Sequence, residues 1–231
     1  MVNSIKPLMQ LFLSCFIFMA GNGLVSLLIP MRLSLEEVST DKIGLILSVY
    51  AIGYLIGANY SKQFIHKVGH IRTFAFCGSL TSFAILVCAL SMDLWIWAAM
   101  RLLMGFAVAI TIATFDGWLS QTTSQNNRGQ VLAFNQIVVF SAISISQFFI
   151  LLSPPSSTTL FILAGILFSI SISPLVVGKL HGPTMDDFES LSLRKTFSIS
   201  PLGAVCCMSC GLLYAALINL LPIYAGAYGV V

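Results

Sequence analysis

The 231 residues are 58% apolar and only 8% charged, with a mean hydropathy of +0.97, against about 25% charged in soluble domains. That balance excludes a water-soluble globular protein and reads as an all-α, multi-pass membrane protein. The formal net charge of +3 argues nothing for a nucleic-acid partner, because in such a chain Lys and Arg are read by their side of the bilayer.

Seven stretches are each long enough to cross ~30 Å of hydrocarbon as helices. They run approximately from Leu8 to Met31, Ile43 to Ser61, Thr73 to Met92, Leu94 to Leu119, Val131 to Leu152, Thr158 to Gly178 and Pro201 to Tyr224. The first follows Lys6 as a signal peptide would, but it is too long for an apolar signal core and reads as an uncleaved span. The connecting segments alternate in charge. Arg32, Glu36, Glu37, Asp41 and Lys42 are acidic on balance, Lys62, Lys67 and Arg72 basic, and Asp93 stands alone. Arg128 follows, then an uncharged turn from Ser153 to Ser157, and a longer segment with Lys179, Arg194 and Lys195. Summed by side, eight Lys and Arg fall on one face and two on the other, with Arg101 left inside a span. The excess places the N-terminus in the cytoplasm of a cell (inner) membrane, and seven spans place the C-terminus outside.

The polar stretch from Leu180 to Phe197 carries Asp186, Asp187 and Glu189. It divides the chain into a six-helix bundle (1–179), a cytoplasmic linker (180–197) and the first helix of a second, incomplete bundle (198–231). LVSLLIPM at Leu24–Met31 and LINLLPIY at Leu217–Tyr224 both close on a Leu pair and a proline, Pro30 or Pro222. A repeated unit cut after the first helix of its second copy leaves such a trace.

Within the fourth span, Arg101 and Asp116 lie 15 residues apart, roughly 22 Å along a helix. They cannot neutralise each other, and an ionisable group in hydrocarbon costs at least ~2.5 to 3.5 kcal/mol unless protein or a wet cavity receives it. Each therefore needs a partner on another element. The second connection, KQFIHKVGHIR from Lys62 to Arg72, reads as a tight basic hairpin of six turn residues, with Gly69 free to take positive φ. His66 and His70 stand four apart, but Gly69 between them argues for a turn and against a metal site. The six cysteines, Cys15, Cys77, Cys88, Cys206, Cys207 and Cys210, all fall in apolar runs and read as small buried hydrophobes. No metal and no cofactor is expected.

The basic hairpin resembles the loop between helices 2 and 3 of the major facilitator superfamily, G-x-x-x-D-R-x-G-R-R. Lys67, Gly69, His70 and Arg72 match at or beside its positions, while Lys62 and His66 stand where the pattern has glycine and aspartate. VGHIR, Val68 to Arg72, is similar to a bacterial branch of the superfamily, the YcaD-like transporters. RLLMGFAVA at Arg101–Ala109 resembles the R-x-x-x-G-x-x-x-A pattern of helix 4. DGWLSQ (Asp116–Gln121) and NRGQVLA (Asn127–Ala133) resemble stretches of the same branch. The resemblance implies a six-helix bundle of two inverted three-helix repeats plus a seventh helix, together about the first half of a twelve-helix protein. It associates Arg101 with proton coupling and assigns Thr111, Thr114, Tyr214 and Asn219 to cavity-lining helices.

Physical depth and resemblance together suggest partners. Arg101 is expected to meet the Asn22 carboxamide in a central cavity, the alternative being a side chain that snorkels to the outer headgroups. Asp116 is expected to pair with Arg72, Lys67 or His70, with Arg128 in the same network, as a gate; the alternative is a solvated interfacial carboxylate. Ser141, Ser144, Ser146 and Gln147 form an expected polar stripe on helix 5. The function implied is a secondary transporter moving a small solute by alternating access with protons, the chain alone being incomplete and a second polypeptide supplying the missing helices. The alternative is a truncated membrane protein that does not transport, or an interaction partner of a full-length transporter. An enzyme finds no support, because no Ser/His/Asp set lies at one depth and His181 is in the linker. A channel finds none either, with no filter or ring of like charge.

Overall fold

The structure, a computed structural model, describes residues 8–177 and 197–227, and the described residues are helical without strands. The chain divides into two compact units, residues 1–183 and 184–231. The first unit holds α1 (Met9–Leu35), α2 (Thr40–Val68), α3 (His70–Leu90), α4 (Leu94–Thr122), α5 (Gln125–Gln147), α6 (Thr159–Ile170) and the short α7 (Ser173–Val177). A 3₁₀ turn, Phe148–Leu152, prolongs α5. Counting that turn with α5 and α7 with α6, six helices among the described residues are long and apolar enough to cross a membrane. The second unit holds α8 (Pro201–Ala227). Ser200 caps it, its Oγ accepting from Gly203 N–H at 3.3 Å, and Pro201 takes the first helical position, where a missing N–H costs nothing.

Hydropathy locates spans, whereas helices continue past them wherever the backbone has no reason to stop. So α2 runs seven residues beyond Ser61, and the turn expected to hold six residues is Gly69 alone. Gly69 has φ 86° and ψ 161°, a region open essentially to glycine only, and its N–H donates to Ile65 C=O at 2.7 Å. Gly69→Ala is expected to lower stability by about 1 to 3 kcal/mol. An unchanged unfolding midpoint of the purified variant would contradict this. At the other end, Asp93 caps α4 by accepting from Trp95 N–H at 2.8 Å and Ile96 N–H at 3.2 Å. The sixth span breaks between α6 and α7 at Ser171 and Ile172, because Pro174 offers no N–H to Ile170.

The principal packings are α2 on α4, α1 on α5, α3 on α4, α1 on α6 and α3 on α6. Exchanging α1, α2 and α3 for α4, α5 and α6 maps this set onto itself, as two copies of a three-helix unit require. In α2·α4, Gly53 faces Leu102 and Gly57 faces Phe106, so the pair runs parallel. In α1·α5, Phe12 meets Phe134 at 4.9 Å between ring centroids, and Gly23 faces Ile143 and Ser146; this pair is parallel too. Between helices surrounded by lipid the hydrophobic effect provides little attraction, and small residues that admit close backbone approach take its place. A Cβ on Gly53 would fall on the Leu102 carbonyl, one on Gly57 on the Phe106 carbonyl, and one on Gly105 on the Tyr50 carbonyl. The antiparallel α3·α6 pair is joined by Ser82 Oγ, which donates to Gly165 C=O at 2.9 Å and stands 3.0 Å from Ser169 Oγ.

Candidate functional site

Arg101 lies seven residues into α4 and is 5% exposed. Its guanidinium carbon stands 4.4 Å from the centroid of the Tyr50 ring on α2. Nε is buried without a hydrogen-bond partner, and Cys88 of α3 lies within electrostatic reach. A guanidinium over an aromatic face is held by the ring quadrupole, and more strongly when both are desolvated. The seam beneath explains how the two are held in register. Gly105, one turn after Arg101, sits against the Tyr50 carbonyl, and a Cβ there would lie 2.9 Å from Tyr54 N. Another turn on, the Ala109 Cβ would be 3.0 Å from a Cβ at Gly57. Arg101, Gly105 and Ala109, spaced four and four, thus all face α2: the arginine on a ring, the glycine and alanine where the two backbones close.

The partner expected from the sequence is not the one found. Asn22 is half-buried on α1, where its carbonyl accepts from Ser26 Oγ at 2.8 Å, and α1 packs on α5 and α6 rather than α4. Nor does Arg101 reach a surface to snorkel. Tyr50 went unrecognised in the sequence because nothing local marks it; its signal is Gly53-x-x-x-Gly57, which predicts a helix seam and puts Tyr50 one turn along it.

At the end of the bundle that carries the Gly69 turn, Asp116 is exposed. Arg32–Glu36, at 2.9 Å, is the one ion pair among the described residues, so Asp116 is not joined to Lys67, His70 or Arg72. The reason lies in where those side chains go. His70 is 3% exposed and packs edge-on to Trp118, ring centroids 5.6 Å apart. Lys67 and Arg72 are exposed. Arg128 Nη2 donates to Ser120 C=O at 2.6 Å, closing the last turn of α4. Cys15 of α1 and Tyr54 of α2 lie within electrostatic reach of Asp116, and the Tyr54 ring is 6.3 Å from that of Tyr50. Arg101, Tyr50 and Tyr54 thus lie along the α2·α4 seam, and Asp116 stands within electrostatic reach of Tyr54.

Thr111 and Thr114 face the interior of the bundle, 0% and 1% exposed, and Thr114 Oγ1 donates to Ile110 C=O at 2.7 Å. Neither opens onto a surface of this unit. Tyr214 on α8 is 54% exposed; the Asn219 side chain lies outside the described residues. Ser141 and Ser144 are exposed, while Ser146 is buried against Gly23 with its Oγ on Ile143 C=O at 2.7 Å. The serines of α5 do not share one face. Two polar residues gain weight from the fold. Asn135 on α5 is 3% exposed, with Oδ1 unpartnered. Arg32 reaches from α1 to Glu36, to Pro155 C=O at 3.5 Å and to Met92 Sδ at 3.8 Å, joining the three loops at the end away from Gly69. Among the described residues no group of three or more His, Cys, Asp and Glu stands together as metal ligands would.

The sequence pattern of the Major Facilitator Superfamily matches residues 11–231. The chain belongs to this superfamily. An uncharacterized MFS-type transporter of Yersinia pestis (strain Pestoides F) is 26% identical over 230 residues, 97% of this chain and 59% of the relative. One from Yersinia enterocolitica is 25% identical over the same shares. Uncharacterized MFS-type transporter YcaD of Escherichia coli (strain 536) is 23% identical over 229 residues, again 97% and 59%. The chain thus spans about 59% of the length of the curated relatives it matches. It is a multi-pass membrane protein of a transporter superfamily, and the R-x-x-x-G-x-x-x-A stretch by which it resembles that superfamily is here the α4 side of the α2 seam.

Proposed function

We propose that the first unit is one bundle of a secondary transporter that moves a small solute by alternating access, coupled to protons, with the N-terminus in the cytoplasm. The observation that carries this reading is the pair of charges on α4: a guanidinium sealed against α2 at one depth, and an exposed carboxylate roughly 22 Å away on the same helix. Intramembrane ionisable groups are expensive and are retained where function uses them. Family membership supports transport. The orientation is supported by the basic residues around Gly69, which follow the positive-inside bias.

On this reading Asp116 belongs to the cytoplasmic gate. The exposed Lys67 and Arg72 are its partners in the state in which the cytoplasmic side is closed, and the present structure has that pair open. Asp116→Asn removes the charge at nearly constant volume, so it is expected to reduce transport several-fold and shift the resting population toward the state open to the cytoplasm. Uptake into vesicles and spin-label distances across the cytoplasmic ends, measured on the variant in the complete transporter, test this. Unchanged transport with unchanged distances would leave Asp116 as a solvated carboxylate.

A further inference from the structure

Between Asp41 and Asp93 the chain contains no acidic residue, yet Lys62, His66, Lys67 and Arg72 all stand exposed on the last two turns of α2 and the first turn of α3. The one-residue turn at Gly69 keeps both helix ends at one end of the bundle, and the four cations lie two to seven residues from it, within roughly 11 Å along the helix axes. None of them forms an ion pair with a described residue, the exposed Asp116 at the same end of the bundle included, and Arg128 is engaged with Ser120 C=O. A cluster of this kind beside a membrane span is complementary to anionic headgroups.

What lies below the cations points to the same ligand. From Arg72, α3 presents an exposed stripe at helical spacing: Phe76, 48% exposed, Phe83, 56%, Leu86, 38%, and Leu90, 87%. From Phe76 to Leu90 it covers 15 residues, roughly 21 Å, which is longer than one leaflet of the ~30 Å hydrocarbon core. Ile162, Ile166 and Ile170 of α6, each about half exposed, form a second stripe beside it. Near the charged end, Phe64 of α2 stacks on Phe76 with centroids 5.4 Å apart, and Tyr60 is 55% exposed, as aromatic residues at a headgroup boundary are.

We propose that the α2–α3 hairpin holds an anionic phospholipid, its headgroup among Lys62, Lys67 and Arg72 and its acyl chains along the Phe76–Leu90 stripe. This site rests on the membrane assignment; it shares Lys67 and Arg72 with the proposed gate, so its test reads lipid retention and not transport. A cation beside an anionic surface is worth about fivefold in partitioning. The three permanent charges together therefore predict a preference of at least about tenfold for phosphatidylglycerol over phosphatidylcholine.

The test is native mass spectrometry of the purified full chain, equilibrated in nonionic detergent with equal amounts of the two lipids. The wild type is expected to retain phosphatidylglycerol selectively, with the selectivity falling at roughly 0.5 M salt, where screening shortens to a few ångström. The triple variant K62Q/K67Q/R72Q is expected to fall toward equal retention, and the charge-conserving K62R/K67R/R72K to keep the wild-type ratio. Equal retention by the wild type, retention insensitive to salt, or an undiminished ratio in the triple glutamine variant would each overturn the proposal. The salt series on the wild type decides the matter even if a variant fails to fold.

Discussion

Gly53→Val is expected to prevent the first unit from folding stably. The substitution places three carbons where the Leu102 carbonyl and backbone already lie, and neither helix can give way. Gly57, one turn on, faces Phe106 backbone just as closely, and Gly105 faces Tyr50 from the other side. Overpacking a core with flexible neighbours costs ~1 to 3 kcal/mol. Here the obstacle is backbone, so the cost is expected to exceed that range and reach the diagnostic class of ~4 kcal/mol or more. The comparison is Gly44→Val on the same helix, where an added Cβ meets nothing within 4 Å. Size-exclusion profiles and unfolding midpoints of the two purified variants check the expectation: Gly44→Val near wild type, Gly53→Val aggregated or absent. Equal behaviour of the two would mean that α2 and α4 do not touch at these positions.

The second large effect concerns the buried charge and is asymmetric. Tyr50→Leu leaves the Arg101 guanidinium over an aliphatic side chain, and is expected to lose about 2 kcal/mol, the size of a desolvated cation–π contact. Arg101→Leu removes the charge itself. Replacing a buried ion pair by well-packed apolar groups is often neutral or stabilising by ~1 to 4 kcal/mol, and removing this single buried charge is by the same reasoning expected to leave the variant folding at least as well as wild type; on the proposed function, transport is then lost. In the double variant the penalty for Tyr50→Leu should largely vanish. A double-mutant cycle on unfolding free energies isolates that coupling. Additive single effects would show that Arg101 is stabilised by something other than the Tyr50 ring. Retained transport in Arg101→Leu would remove the arginine from the proposed coupling machinery.

The helices were legible in the sequence because apolar length is a local property, and Gly69 was legible because a short basic connection between two spans needs a turn. The helix ends were less so. Nothing in Lys62–Val68 stops a helix, and hydropathy falls there although the backbone continues. The arginine at 101 was legible as a charge inside an apolar run, with a snorkelling side chain as the alternative. Its partner was not, since the choice between Asn22 and Tyr50 depends on which helices are neighbours, and that is settled by Gly53, Gly57 and Gly105 acting across 50 residues of chain. The inward turn of His70 beneath Trp118 was hidden for the same reason. Its sequence neighbours Lys67 and Arg72 are exposed, and one helical face separates them.

The gate, the depth of Arg101 and the leaflet of the lipid site all turn on which side of the membrane the Gly69 end of the bundle occupies. Single cysteines at Glu37, Lys62 and Asp116, each in a chain whose six native cysteines are replaced, can be labelled with an impermeant maleimide added to one side of the membrane at a time. Reaction at 37 from outside only, and at 62 and 116 from the cytoplasmic side only, is the predicted result. Reaction of 62 or 116 from the outside would contradict the orientation and, with it, the assignment of Asp116 to a cytoplasmic gate.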